Sequence, residues 1–141
     1  MCKVMLPYIL LAGFVAAIGS PARAETVEQT MQFAGNAIEV VQTDDFDRVI
    51  RVNGEEAFRD FQVFIERSIP LGGREVLIAS AGPGGNACGS YPVVIIPAND
   101  GTLTVATPLG TGCGLFAEVA ATADRLIFVG YPQPGIPASI D

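Results

Sequence analysis

Residues 91–107, YPVVIIPANDGTLTVAT, decide the fold class. An apolar run from Tyr91 to Ile96 stops at Pro97, and residues 102–107 then set threonines around Leu103 and Val105, the pattern of a half-buried strand. Between the two lies Asn99-Asp100-Gly101, residues that accept the backbone angles of a tight hairpin. Strands joined by so short a turn run antiparallel. The stretch therefore predicts a hairpin, and with it a sheet protein.

The flanks repeat this grammar. Residues 75–80 form an apolar strand entered through Leu71-Gly72-Gly73, and Ala37-Ile38-Glu39-Val40-Val41 reads as a short strand before the acidic turn Thr43-Asp44-Asp45. Residues 47–52 alternate up to Asn53-Gly54, the strongest short-range hairpin signal in the chain. Downstream, residues 115–119 and 126–129 read as short strands around an alanine-rich passage. Residues 55–67 are ambiguous: Phe58, Phe61, Phe64 and Ile65 fall at helix spacing, while Phe61, Val63 and Ile65 fall at strand spacing. Aromatic and β-branched enrichment favours a strand over residues 61–68, after a helical turn at residues 55–58.

The expectation is an all-β or β-dominated domain, mostly antiparallel, with at most that one short helix, built as a small sandwich or a curved open barrel. No strand, glycine turn and long helix follow one another, so a dinucleotide-binding arrangement is not expected. Residues 131–141 hold Pro132, Pro134 and Pro137, which lack the donors a sheet ladder needs, and read as an extended surface segment.

The first 24 residues have the form of a leader. Lys3 is a positive start, residues 4–18 are almost continuously apolar, and Ala22-Arg23-Ala24 is a small-x-small cleavage site before Glu25. The apolar run includes Pro7 and is shorter than the roughly 20 residues of a spanning helix. The expected product is a single periplasmic or secreted domain, residues 25–141, not inserted in a membrane after cleavage.

Cleavage removes Cys2 and leaves Cys88 and Cys113. In an oxidising compartment two cysteines most simply pair. Each is followed by glycine, in Asn86-Ala87-Cys88-Gly89 and Thr111-Gly112-Cys113-Gly114, which lets two loop backbones approach closely. A redox dithiol needs a CxxC pair, a zinc site needs two more soft or imidazole ligands, and a catalytic thiol needs a base; the chain has no histidine. A disulfide would tie the segment before Tyr91 to the segment after Thr107, fastening the outer ends of the hairpin over residues 91–107.

Composition then bounds the partners. Beyond residue 24 there are six arginines, no lysine and fifteen acids, a formal charge of −9. Nucleic acid and anionic lipid both need positive charge on the protein and are not expected. A basic exported protein is favoured by the same field.

Four kinds of site are conceivable. GPGGNACGS, residues 82–90, lacks the lysine and helix of a phosphate loop and reads as a turn. Asp44, Asp45 and Asp47 carry a minor calcium reading, weakened by the intervening Phe46 and by the missing glycine. Glu39, Glu66, Glu75, Glu118 and Asp124 lie in or beside expected strands and could supply paired carboxylates to a small carbohydrate-active enzyme; Ser80 and Ser90 have no base to activate them. Tyr91 and Tyr131 are candidate anchors for a protein partner, since tyrosine offers contact area at low entropic cost. No cofactor is called for. The leading functional expectation is a protein-binding module, for instance an inhibitor of a basic exported enzyme such as a cell-wall hydrolase. Its rivals are the carbohydrate-active enzyme and a structural envelope-associated subunit, whose sign would be an unpaired apolar edge strand.

Overall fold

A computed structural model of the chain describes residues 24–85, 89–111 and 118–130. These residues form ten strands and no helix: β1 (Thr26–Phe33), β2 (Asn36–Gln42), β3 (Arg48–Val52), β4 (Glu55–Asp60), β5 (Gln62–Leu71), β6 (Arg74–Gly82), β7 (Tyr91–Pro97), β8 (Leu103–Ala106), β9 (Glu118–Ala121) and β10 (Leu126–Val129). The first four make one antiparallel sheet in chain order, the next four a second, and β9 with β10 a separate hairpin. The structure is all-β and antiparallel, and neither four-stranded sheet closes into a barrel.

Tight turns dictate this meander. Asn53 and Gly54 both have positive φ, 52° and 85°, between Val52 and Glu55, which pair across the strands. Gly72 and Gly73 do the same at 57° and 78° between the paired Leu71 and Arg74. Positive φ at both central residues matches the twist of the flanking strands, so each turn feeds directly into a ladder. The β7–β8 connection is longer. Gly101 N donates to Ala98 O at 3.1 Å and Ala98 N to Thr102 O at 2.8 Å, while Asp100 Oδ1 accepts from the backbone and the hydroxyl of Thr102.

The helical turn expected over residues 55–58 is not formed; that stretch is β4. The Asn53-Gly54 turn returns the chain alongside β3, where Glu55 to Asp60 complete a ladder that a helix would leave open. The helix-like spacing of Phe58, Phe61 and Phe64 comes from a change of sheet. The chain leaves the first sheet at Asp60, passes through Phe61 alone and enters the second at Gln62.

The sandwich core lies between the two sheets. Phe33, Ile38, Val40 and Ile50 from the first meet Val63, Leu77, Ala79, Ala81, Tyr91, Val93 and Ile95 from the second. The other face of the second sheet is also covered. Ile69, Val76, Ile78 and Val94 pack with Val119 of β9, joined by Leu126 and Phe128 of β10. Hence β6 and β7 are buried on both faces, which is why they read as unbroken apolar runs while the outer strands alternate. A bulge between Ile65 and Arg67 makes β5 serve both cores. Val63 and Ile65 face the sandwich, and after the extra residue Ile69 and Leu71 face the hairpin.

The β1–β2, β3–β4, β5–β6 and β7–β8 turns lie at one end of the sandwich. There Asn53 Oδ1 accepts from Ala37 N at 2.9 Å, Asn53 Nδ2 donates to Asn36 Oδ1 at 2.8 Å, and Asn36 Nδ2 donates to Gly101 O at 3.1 Å, tying the two sheets together. At the opposite end lie the β2–β3 turn, the Phe61 corner, the glycine segment after β6 and the chain leaving β8. That loop end holds most of the chemistry read from the sequence.

Candidate functional site at the loop end

Tyr91 begins β7 and points between the sheets. It is 2 % exposed, and its hydroxyl donates to Asp60 Oδ2. The ring is therefore part of the core and offers no surface to a partner, contrary to the expectation for an aromatic beside a glycine loop. Tyr131, Cys88 and Cys113 lie outside the described residues.

Asp60 joins the two sheets. Its other carboxylate oxygen accepts from Phe61 N at 2.7 Å, so one side chain fixes the corner and the buried tyrosine together. Burial, and after it the Asp60 carboxylate, hold the Tyr91 hydroxyl above its ordinary range. A group whose proton is held more tightly in the folded state contributes stability below its unfolded pKa, about 10, and loses it as pH rises through the folded value. In an alkaline titration followed by phenolate absorbance, Tyr91 should ionise only as the fold is lost. In Tyr91→Phe the alkaline step should disappear, at a cost near neutrality of about 1 kcal/mol for the missing hydrogen bond.

Arg48 of β3 packs the same corner. Its guanidinium makes a two-pronged contact with Glu28 of β1, at 2.6 and 3.0 Å, donates to Phe61 O at 3.2 Å and lies 5.4 Å from the centre of the Phe64 ring. Phe61 is further held from behind. A Cβ at Gly84 would stand 2.6 Å from the Phe61 ring, and Gly84 has φ +76°, so only glycine fits beneath that ring. The glycine segment thus has a packing role at this position. Gly84→Ala should destabilise by about 1–2 kcal/mol for the backbone alone and further by displacing Phe61. Gly85→Ala, at φ +89° but in open space, isolates the backbone part. Denaturant melts of the two variants should differ, Gly84→Ala being the less stable.

The result is an aromatic end. Phe46, Phe61 and Phe64 are 55 %, 46 % and 45 % exposed. Phe46 sits at φ +69° in the turn closed by Phe46 N to Thr43 O at 3.1 Å and Thr43 N to Asp47 O at 2.8 Å. Left-handed backbone is uncommon for a bulky side chain and costs about 1–2 kcal/mol. Asp44 and Asp45 in that turn are exposed and form no ion pair among the described residues.

The calcium arrangement is not assembled here. Asp47 turns away to Arg59 at 3.6 Å, and no three acidic, cysteine or histidine side chains among the described residues converge as metal ligands do. Nor do the strand carboxylates share a cleft. An open groove of about 690 Å³ between β5 and β9 is lined by residues 67–73 and 119–123, none of them acidic. A cleft of about 220 Å³ between β1 and β5 has Glu66 alone. Ser80 is buried in β6, opposite Pro92 and Phe64.

Five of the six arginines beyond residue 24, all but Arg125, are committed to the fold. Besides Arg48, Arg51 grips Glu25 and Arg59 grips Glu56 in two-pronged pairs, holding both carboxylates below their usual range. Arg67 donates to Val119 O at 2.6 Å and Arg74 to Pro97 O at 3.3 Å.

The model of the Y4bG N-terminal domain family matches residues 34–141, more than half of the chain. The chain belongs to the Y4bG N-terminal domain family. No curated protein and no solved structure matches it. The matched Y4bG N-terminal domain span takes in β2 to β10, and with them Phe46, Phe61, Phe64, Asp60 and Tyr91; β1 and its Glu28 precede it. Family membership adds no chemistry to the site, so the functional reading rests on the geometry of the loop end.

Sequence reasoning singled out Tyr91 and passed over Phe46 and Phe61. The missed signal is an apolar ring inside the acidic turn Asp44-Asp45-Phe46-Asp47, where a soluble loop has no need of one.

Proposed function

We propose that the domain is an exported, acidic protein-binding module, and that its contact surface is the loop end bearing Phe46, Phe61 and Phe64. The observation that carries this reading is the placement of three exposed phenylalanines at one end of the sandwich, with exposed Asp44 and Asp45 that form no ion pair among the described residues. Two of the rings are held in place, Phe61 over Gly84 and Phe64 under Arg48. Rings already fixed lose little entropy on contact, and apolar anchors with an acidic rim suit a partner that is basic around an apolar cleft. A basic exported enzyme inhibited by occupation of its cleft, such as a cell-wall hydrolase, fits that description. A carbohydrate-active role receives no support from the two clefts described, since neither is lined by two carboxylates.

The test is affinity capture from a periplasmic extract with three baits: the unaltered protein, Phe61→Ala/Phe64→Ala, and Asp44→Asn/Asp45→Asn. The reading expects a basic protein retained at low salt, released at high salt, lost from the phenylalanine variant and weakened with the aspartate variant. Retention that all three baits share equally would overturn it, as would the absence of any salt-sensitive basic protein.

A further inference from the structure

Among the described sheet edges, β8 and β10 lack the devices that blunt β1, β4 and β5, and of the two only β10 exposes large apolar side chains, Ile127 and Val129. β1 is interrupted by a bulge between Val27 and Gln29, and Gln29 closes on β5 by donating to Ile65 O at 3.1 Å and accepting from Ile65 N at 2.8 Å. β4 carries Glu55, Glu56 and Arg59, and β5 carries a bulge and Pro70. Such devices keep sheet edges from recruiting other chains. β10, with the sequence Leu126-Ile127-Phe128-Val129, has no charge, proline or bulge and pairs only with β9 among the described residues.

The unpaired groups on that edge can be assigned. Thr122 N donates to Arg125 O at 2.9 Å, which makes Thr122 and Arg125 a hydrogen-bonded pair. Alternation along an antiparallel ladder then turns the backbone of Ile127 and Val129 toward β9, and that of Leu126 and Phe128 toward the open edge. Leu126 and Phe128 pack inward on Ile78 and Val94, while Ile127 and Val129, 46 % and 51 % exposed, face out.

We infer that β10 is a homodimer edge: two copies of the chain pair antiparallel through this strand to form a four-stranded sheet β9-β10-β10-β9. Residues directly opposite must face the same side, which restricts the registers to those pairing even with even and odd with odd numbers. The register centred on Ile127 gives the most complete overlap, with Leu126 opposite the second copy's Phe128 and Ile127 opposite its counterpart. It also places Arg125 opposite the second copy's Val129, whose neighbour on β9 is Glu118. Arg125 is the described arginine not held at hydrogen-bonding distance: its side chain is 81 % exposed, and its partner Asp124 is 3.9 Å away. Glu118 is exposed and enters no ion pair among the described residues. Each copy thus brings a basic and an acidic group to complementary positions, twice by symmetry, where two acidic molecules would otherwise repel. The inference is independent of the loop end, which lies on other elements.

Sedimentation equilibrium of the purified protein over a range of concentrations tests it. The expected result is a concentration-dependent dimer that Ile127→Lys converts to a monomer, because two lysines would face each other across the new ladder. Ile127 is exposed, so this variant should melt with the same cooperativity as the parent. Arg125→Glu should weaken the dimer roughly tenfold, as two like-charge pairs would, and Glu118→Arg combined with Arg125→Glu should restore it. A monomer at every concentration would overturn the assignment, as would a dimer indifferent to Ile127→Lys. Failure of the charge reversal to restore association would overturn the register.

Discussion

Ile78→Asp should prevent folding altogether, with no cooperative melt and with the circular dichroism of an unfolded chain. In a two-layered sandwich this would be a surprising result, because Leu77 faces the core and its neighbour would face solvent. Here Leu77 and Ile78 are both fully buried, one between the sheets and one beneath the β9–β10 hairpin. A carboxylate at Ile78 would be desolvated among Ile69, Val76, Val94 and Val119, and the cation opposite it on β5, Arg67, is already engaged with Val119 O at 2.6 Å. A penalty of several kcal/mol is a large part of the roughly 5–15 kcal/mol that holds a domain of this size together. The milder pair Leu77→Ala and Ile78→Ala should each cost about 2–5 kcal/mol, and the near equality of the two is the informative result. Thr104→Asp, at an exposed position of β8, should change stability by no more than about 0.5 kcal/mol. If Ile78→Ala proved as mild as Thr104→Asp, the hairpin would not cover the second sheet in solution.

How far the fold was legible follows from where each strand finds its partners. The hairpins at Asn53-Gly54 and Gly72-Gly73, and the one spanning residues 91–107, declare themselves because local backbone chemistry sets both turn and register. β1 does not. Thr26 to Phe33 is largely polar, has one bonded neighbour and exposes most of its side chains, so its strand character comes from pairing with β2 and from Gln29 reaching β5. The third layer was equally hidden. A run such as Tyr-Pro-Val-Val-Ile-Ile shows that both faces are covered without saying by what, and the cover arrives some twenty residues later in a hairpin of two four-residue strands. The bulge at Ile65 and Arg67 moves Ile69 and Leu71 to the second core, and no periodicity count survives such a shift of phase.

The site was less legible for a related reason. Tyr91 adjoins the glycine segment in the chain, which suggested a loop anchor, but strand alternation from Val93 and Ile95 turns it inward to Asp60, thirty-one positions away. Adjacency along the chain thus put the aromatic surface at the wrong residue. Phe61 is exposed because the chain changes sheets there, an event set by tertiary packing with no local signature. The carboxylates were never a set, since Glu39 belongs to the first sheet while Glu118 and Asp124 belong to the hairpin beyond the second.

Joining Cys88 to Cys113 should be worth about 3–4 kcal/mol, because closing a loop of that length removes entropy from the unfolded chain. Both cysteines are outside the described residues, yet the elements that flank them bear on the pairing. β7 and β8 form the antiparallel hairpin, with Val94 opposite Ala106, so the chain enters β7 and leaves β8 at the same end of the sandwich. Cys88 is two residues from Ser90 and Cys113 two from Thr111, described positions on those two segments. Among the described residues the β7–β8 ladder ends at Val94 and Ala106, so a covalent tie would act beyond it. In protein purified without reductant, intact mass should be 2 Da below the fully reduced value, and thiol titration under denaturing conditions should find no reactive group in the chain cleaved after Ala24. Cys88→Ala/Cys113→Ala should lower the melting temperature by on the order of 10 °C. The loss should appear chiefly through the unfolded state, so adding reductant to the parent should bring its melting temperature to that of the variant. Two free thiols, or a variant that melts with the parent, would show that the loop end is held by the Asp60, Tyr91 and Arg48 contacts alone.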